Sequence, residues 1–310
     1  MIGAMEAIRA EGLTKRFGET IAVDGIDLSV TAGELFALVG SDGAGKSTTL
    51  RMLTGIMDAS AGSVFVLGKE MSRYGKEVRG DIGYMSQRFG LYEDLTVEEN
   101  ILFFADIYGL PRRERRDRAE ELLSFGKLTP FKKRFAGKLS GGMKQKLGLA
   151  CALMHKPRVL FLDEPTNGVD PVSRRDFWRI LHQLLAGGVT VCLATSYLDE
   201  AERCNRVALM DRGKILGCDS PAGLKKLMKG GVLEISTSQP RLAVRIVSAA
   251  FPPGSVALFG EKVHLYAVDP DEAQGLATAR LREGRVEVTG VRRVEPSLED
   301  LFVSLLRERH

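Results

Sequence analysis

The sequence predicts an α/β protein built on a largely parallel sheet, and three observations carry that prediction. Short apolar runs at 35–39, 159–162 and 190–194 alternate with segments of helical spacing such as 173–186. The first run opens into a glycine-rich loop and then into helix-forming residues from Lys46 to Leu53. The second ends in two adjacent carboxylates, Asp163 and Glu164, as a buried strand does when it delivers acids to a site.

Taken in order, residues 8–17 and 21–30 read as strands around the turn Gly18-Glu19. Residues 46–53 suit a helix closed by Gly55, and 63–67 and 82–85 are further strands. Helical spacing over 96–109 and 113–123 makes an all-α insert of about 88–140. Strand and helix then alternate through 198–203. The pattern changes beyond Lys229-Gly230-Gly231, which divides a domain 1–230 from a smaller one, 231–310. There a strand (232–236), a helix (241–250), strands at 255–259 and 262–268 around the hairpin signal Gly260-Glu261, a helix (271–282), a strand (286–293) and a last helix (298–309) are expected. The order β-α-β-β-α-β is that of a ferredoxin-like α+β unit with one added helix. It reads as an accessory or dimerising domain, the alternative being a ligand sensor.

Bulk properties set the outer limits. With 44% hydrophobic and 27% charged residues the chain has ordinary globular composition. A net charge of +4 permits contact with a nucleotide or an anionic surface and demands no nucleic acid. Cys151, Cys192, Cys204 and Cys218 form no CxxC pair and read as free cytosolic thiols. No signal peptide is read at the start. The most apolar span, 180–198, is split by Gly187-Gly188 and too polar to cross a membrane alone.

Gly40-Ser41-Asp42-Gly43-Ala44-Gly45-Lys46-Ser47, followed by Thr48, satisfies G-x-x-x-x-G-K-[ST] between a strand and a helix. Such a loop turns its N–H groups inward around phosphates, and the helix dipole adds favourable field. Lys46 would reach the β- and γ-phosphates and the Ser47 hydroxyl would ligate Mg²⁺. Asp163 would be the Mg²⁺ carboxylate, bound directly or through a ligand. Glu164, on the opposite side of the pleat, would polarise an attacking water. Leu139-Ser140-Gly141-Gly142-Met143 opens a helix with a hydroxyl and free N–H groups.

These motifs, in this order, resemble the ATP-binding subunit of an ABC transporter. The fold implied is a P-loop NTPase core with a β-rich N-terminal subdomain and a helical insert. The resemblance implies that Ser140, Gly141 and Gly142 contact the γ-phosphate of an ATP held by a second nucleotide-binding domain in a head-to-tail dimer. It implies that Phe17 stacks on adenine, that Gln87 senses Mg²⁺ and links core to insert, and that Asp170 lies in a loop crossing the dimer interface. The C-terminal segment around Pro296-Ser297-Leu298 resembles that of drug-resistance and ABC-2-type exporters.

One position departs from the family pattern. Ser196 stands where the resemblance places a histidine that contacts the γ-phosphate, and serine is shorter and uncharged. Either turnover at this chain's own site is slow, or Glu164 suffices and Ser196 is tolerated. The expected protein is a cytoplasmic ATPase on the inner face of the cell membrane, powering a separate integral-membrane permease for export of drugs, other small molecules or lipids. The alternative is a catalytically weak ATP-binding partner in an asymmetric heterodimer. An ABC ATPase acting on DNA would need sustained heptads between 47 and 139, and none are present. The arginine-rich run 111–118 reads as a solvated helix start with Glu114/Arg118 and Arg116/Glu120 pairs, or as a contact for phosphate headgroups.

Overall fold

The computed structural model describes residues 5–87 and 90–307, which fall into two compact units. The first comprises the chain to Tyr197 together with Cys204–Leu216. Its strands β1 (Glu6–Phe17) and β2 (Thr20–Thr31) pair antiparallel around the expected turn. In chain order there then come β3 (Leu35–Val39), α1 (Lys46–Leu53), β4 (Ala61–Val66), β5 (Lys69–Glu70), α2 (Met71–Val78), β6 (Ile82–Met85), α3 (Val97–Ile107), α4 (Arg112–Phe125), α5 (Gly141–Ala152), β7 (Val159–Asp163), α6 (Pro171–Ala186), β8 (Thr190–Thr195), α7 (Leu198–Ala201), which belongs to the second unit, β9 (Arg206–Asp211) and β10 (Lys214–Asp219).

Two sheets organise this unit. One has the order β2-β1-β4-β5, and the other β10-β9-β3-β8-β7-β6. In the second, β9, β3, β8, β7 and β6 run parallel to one another. Every residue of β3, β7 and β8 is buried, which explains their continuous apolar runs: a parallel strand covered on both faces has no solvent side on which to alternate. Phe36, Leu50, Leu53, Phe161 and Val66 share a core in which α1 lies between the two sheets. Each such side chain contributes roughly 1.5–3 kcal/mol by burial. Because β8 lies between β3 and β7, the loops after all three open on one edge of the sheet, where ligands of parallel α/β sheets bind.

The helical insert is fixed by local chemistry. Thr96 and Glu99 form a reciprocal cap at the start of α3. Asn100, fully buried, donates to the carbonyls of Tyr92, Leu95 and Thr96 and accepts from Tyr92 N–H. The arginine run starts α4 as expected but pairs differently: Arg115 meets Asp106, Arg118 meets Glu121, and Glu120 meets Lys132. Arg118 is drawn from Glu114 because its other nitrogen donates to Leu153 O, 2.9 Å away.

The second unit comprises Leu198–Arg203 and the chain from Gly217. It continues with α8 (Pro221–Lys225), β11 (Gly231–Thr237), α9 (Pro240–Ser248), β12 (Val256–Phe259), β13 (Lys262–Ala267), α10 (Pro270–Glu283), β14 (Val288–Val294) and α11 (Leu298–Arg307). The sheet order β12-β13-β11-β14, antiparallel throughout, is the ferredoxin-like arrangement. Contacts divide the chain at Leu216/Gly217, earlier than the expected 230/231. The cause is visible in Glu202, which accepts from Leu298 N–H and pairs with Lys225, so that α7 and α8 belong with α11. The helix expected over 198–203 is the four-residue α7, and the expected end of the last helix at 308–309 lies outside the described residues.

Candidate nucleotide site

At the C-terminal end of β3 the chain turns sharply before α1. Gly40 passes so close to β9 that a Cβ there would stand 2.1 Å from Met210 O. Gly45 caps α1 with φ 105°, a left-handed value unfavourable to other residues. Neither a capping side chain nor a first-turn acid neutralises the helix start, so its N–H groups and dipole face the loop. Ser41, Asp42 and Gly43 are exposed, Ala44 is buried, and Thr48 is half-buried on the first turn.

Lys46 is folded inward and only 5% exposed. Its Nζ donates to Gly40 O at 2.8 Å and Ser41 O at 3.0 Å, and stands 3.4 Å from Glu164 Oε1. The Ser47 hydroxyl donates to Asp163 Oδ1 at 2.7 Å. Asp163 is the last residue of β7 and fully buried, and its Oδ2 has no hydrogen-bond partner. Glu164 lies just past the strand with φ 48°, so a strained backbone, rather than strand alternation, aims its side chain. Its N–H donates to Ala194 O on β8, and its Oε2 accepts from Ser196 N–H at 3.2 Å and Ser196 Oγ–H at 3.4 Å.

Burial dominates the electrostatics of both acids. It pushes the Asp163 carboxyl above its usual range, against the Ser47 hydrogen bond and the Arg51 and Lys46 charges. It raises Glu164 likewise, against the opposing charge of Lys46. A carboxylate raised by burial is a stronger base than a solvated one. No group of three His, Cys, Asp or Glu side chains suited to a metal exists among the described residues. One buried carboxylate oxygen without a partner beside a hydroxyl nonetheless fits Mg²⁺, which takes few protein ligands and completes its shell with phosphate oxygens and water.

The other expected residues are placed as follows. Phe17, at the end of β1, is 50% exposed with Lys15 Nζ 5.3 Å from its ring centroid. Gln87 is exposed two residues past β6, and no hydrogen bond among the described residues joins it to Lys46 or Asp163. Ser140 is exposed and caps α5 by accepting from Met143 N–H at 3.4 Å. Gly141 is exposed, whereas Gly142 is buried against α6. Asp170 caps α6, accepting from Val172 and Ser173 N–H at 3.1 and 2.9 Å, and the Ser173 hydrogen bonds hold its carboxyl below the usual range.

Sequence reasoning passes over two groups around Asp163. Tyr84 on β6 and Arg51 on α1 both act on its carboxylate. The available signals are the strand period, which with the β6–β7 register puts Tyr84 on the same face as Phe161 and Asp163, and the i,i+4 spacing from Ser47 to Arg51.

Comparison with known proteins identifies the family. The ABC transporter family profile matches residues 23–167. A daunorubicin resistance ATP-binding protein of Streptomyces coeruleorubidus is 39% identical over 310 residues, covering 98% of this chain and 96% of that protein. The chain belongs to the ABC transporter family. A probable multidrug ABC transporter ATP-binding protein of Escherichia coli is 40% identical over 96% of this chain, which spans only 52% of that protein's length. A Nod factor export ATP-binding protein of a Rhizobium species is 38% identical over 96% of each chain. Among solved structures, an ABC transporter ATP-binding subunit superposes with a TM-score of 0.65 at 28% identity, over 71% of this chain and 92% of that one. A dimeric ATP-binding cassette bound to ADP and Pi gives 0.63 at 26% identity, over 69% of this chain and 98% of that one. The fold is that of ABC ATPase cassettes, with the P-loop NTPase core expected.

Proposed function

We propose that this chain is the ATP-hydrolysing subunit of an exporter whose membrane permease is a separate protein. The observation that carries it is the convergence of Lys46, Ser47, Asp163 and Glu164 at one sheet edge although they come from distant stretches of chain. Relatives named for daunorubicin resistance, multidrug transport and Nod factor export support an exported cargo of drug-like or lipid-like molecules. No helix among the described residues is long and apolar enough to cross a membrane, in keeping with a subunit docked on the inner membrane face.

In this reading Lys46 exchanges its two loop carbonyls for the β- and γ-phosphates, with the N–H groups of residues 43–48 around them. Ser47 and Asp163 would hold Mg²⁺, which would supply neutralisation of phosphate charge. Glu164 accepts a proton from the water that attacks the γ-phosphorus as the bond to the β,γ-bridging oxygen breaks. Phe17 supplies the adenine platform and Gln87 the link to the insert. The exposed Ser140-Gly141 edge completes an ATP site on a second nucleotide-binding domain, with Asp170 nearby in the interface loop. ATP closure and post-hydrolysis opening of the dimer would then move the permease.

The Ser196 hydrogen bonds to Glu164 favour a second reading. They hold the general base in place without supplying the positive charge of a histidine, as a slow partner in a heterodimer would have it. Phosphate release by the purified chain, alone and with a copurified permease, tests both. Glu164→Gln should lower turnover by about 100-fold or more while nucleotide still binds. Turnover within a few-fold of the unaltered chain refutes the motor reading. A permease found with a second, faster ATPase supports the heterodimer.

A further inference from the structure

Beneath the Mg²⁺-side carboxylate lies a pair of unmatched oxygens. On β6, Tyr84 stands directly opposite Phe161 of the parallel strand β7, and Asp163 follows two residues along the same face. Helix α1 covers that face, presenting Ser47 to Asp163 Oδ1 and Arg51 one turn further on. The Tyr84 hydroxyl is close enough to interact with both Asp163 and Arg51, yet reaches hydrogen-bonding geometry with neither. Both it and Asp163 Oδ2 are buried without a partner. Buried polar atoms are rarely left so, and two facing one another in a nucleotide site call for a functional reason. A phenol hydroxyl can donate to a carboxylate oxygen, and Asp163 Oδ2 is the unmatched acceptor beside it.

We infer that Tyr84 is a positioning residue for the metal side of the site: its hydroxyl donates to Asp163 once Mg²⁺ and nucleotide bind, keeping the carboxylate turned toward Ser47. This rests on the ATPase reading and adds to it a residue that touches neither nucleotide nor metal. In the nucleotide-free chain the same hydroxyl makes no hydrogen bond of good geometry, so its removal should cost little stability. Those two halves separate a positioning role from a packing role.

The test is Tyr84→Phe in the full chain, read by binding of a fluorescent ATP analogue across a Mg²⁺ titration and by thermal unfolding without nucleotide. The Mg²⁺ concentration for half-maximal enhancement of binding should rise about tenfold, the size of one hydrogen bond to a charged group. Affinity in EDTA should stay within about twofold, and the nucleotide-free melting midpoint should be unchanged or higher. An unchanged Mg²⁺ requirement overturns the inference. So does a lowered midpoint with affinity lost equally in EDTA, which would mark Tyr84 as packing alone. If the unaltered chain binds the analogue without any Mg²⁺ dependence, the ATPase reading falls, and the Tyr84 assignment with it.

Discussion

The two glycines after Ser140 should respond to a methyl group in opposite ways. An added Cβ on Gly142 would lie 2.4 Å from Ser173 Cβ, 2.5 Å from Ser173 Oγ and 3.3 Å from Val169 Cγ1. Ser173 is held in the first turn of α6, whose cap is Asp170, so the clash falls on the junction of two helices rather than on a mobile side-chain tip. The carbon–carbon approach is about 1 Å inside ordinary contact, which places the strain toward the upper end of the roughly 1–3 kcal/mol typical of overpacking. Helix propensity returns up to about 1 kcal/mol on replacing Gly by Ala. The net expectation for Gly142→Ala is a loss of about 2 kcal/mol, or about 4–8 °C in the melting transition of a unit of roughly 200 residues. Gly141 is the internal control: its nearest neighbour would be Gly168 O at 3.4 Å, ordinary contact, so Gly141→Ala should melt at or slightly above the unaltered chain. Thermal unfolding followed by circular dichroism without nucleotide measures both. Equal midpoints for the two variants would refute the packing role assigned to Gly142. Any loss of ATPase in Gly141→Ala then belongs to phosphate contact and not to folding.

Two further outcomes follow from the same geometry. Ser196→His should raise turnover about tenfold, the roughly 1.4 kcal/mol of one added charge-assisted hydrogen bond, and no gain in steady-state phosphate release would sink the slow-site reading. In the second unit, His264 lies on β13 with Nδ1 3.2 Å from Asp300 Oδ1 of α11 and Nε2 3.8 Å from Glu234 Oε2. The Asp300 hydrogen bond raises its pKa above 6.5. The stabilisation this confers is therefore complete below the unfolded value near 6.5 and is lost as pH rises through the raised native value. The midpoint of the unaltered chain should fall more than that of His264→Gln between about pH 6 and pH 9. Parallel pH profiles would remove the histidine from the account.

What was legible in the chain, and what was not, divides by distance along it. The phosphate loop could be read because its function is written into contiguous backbone: Gly40, Gly45, Lys46 and Ser47 need only one strand, one turn and one helix. The continuous apolar strands and the β-α-β-β-α-β order were readable for the same reason, since burial on both faces and element order leave local marks. Some elements left weaker marks. Helix α2 carries Gly75 in its middle and buries only Val78, so its spacing is hard to distinguish from a loop. The apolar residues of β9 follow so closely on the turn after α7 that the pattern ends early. Gly230-Gly231 marks where β11 begins, whereas the contacts that group α7 and α8 with α11, Glu202 to Leu298 and Lys225, join residues far apart in sequence.

The site shows the same division at the level of single residues. Asp163 and Glu164 are neighbours in sequence, and strand alternation alone would place them on opposite faces. What separates them is the left-handed turn at Glu164, held by the N–H bond to Ala194 on β8 and by Ser196. The identity of those partners depends on β8 lying between β3 and β7, an order that no local pattern encodes. Tyr84 depends equally on β6 pairing with β7 in a register that sets it opposite Phe161. Residues that meet the nucleotide along one loop can therefore be named from the sequence, while those that aim the carboxylates emerge only once the strand order is known. Tyr84, seen only through that strand order, and Ser196, named from the family pattern but given its Glu164 contact only by the fold, are where substitutions should change metal dependence and turnover without abolishing the fold.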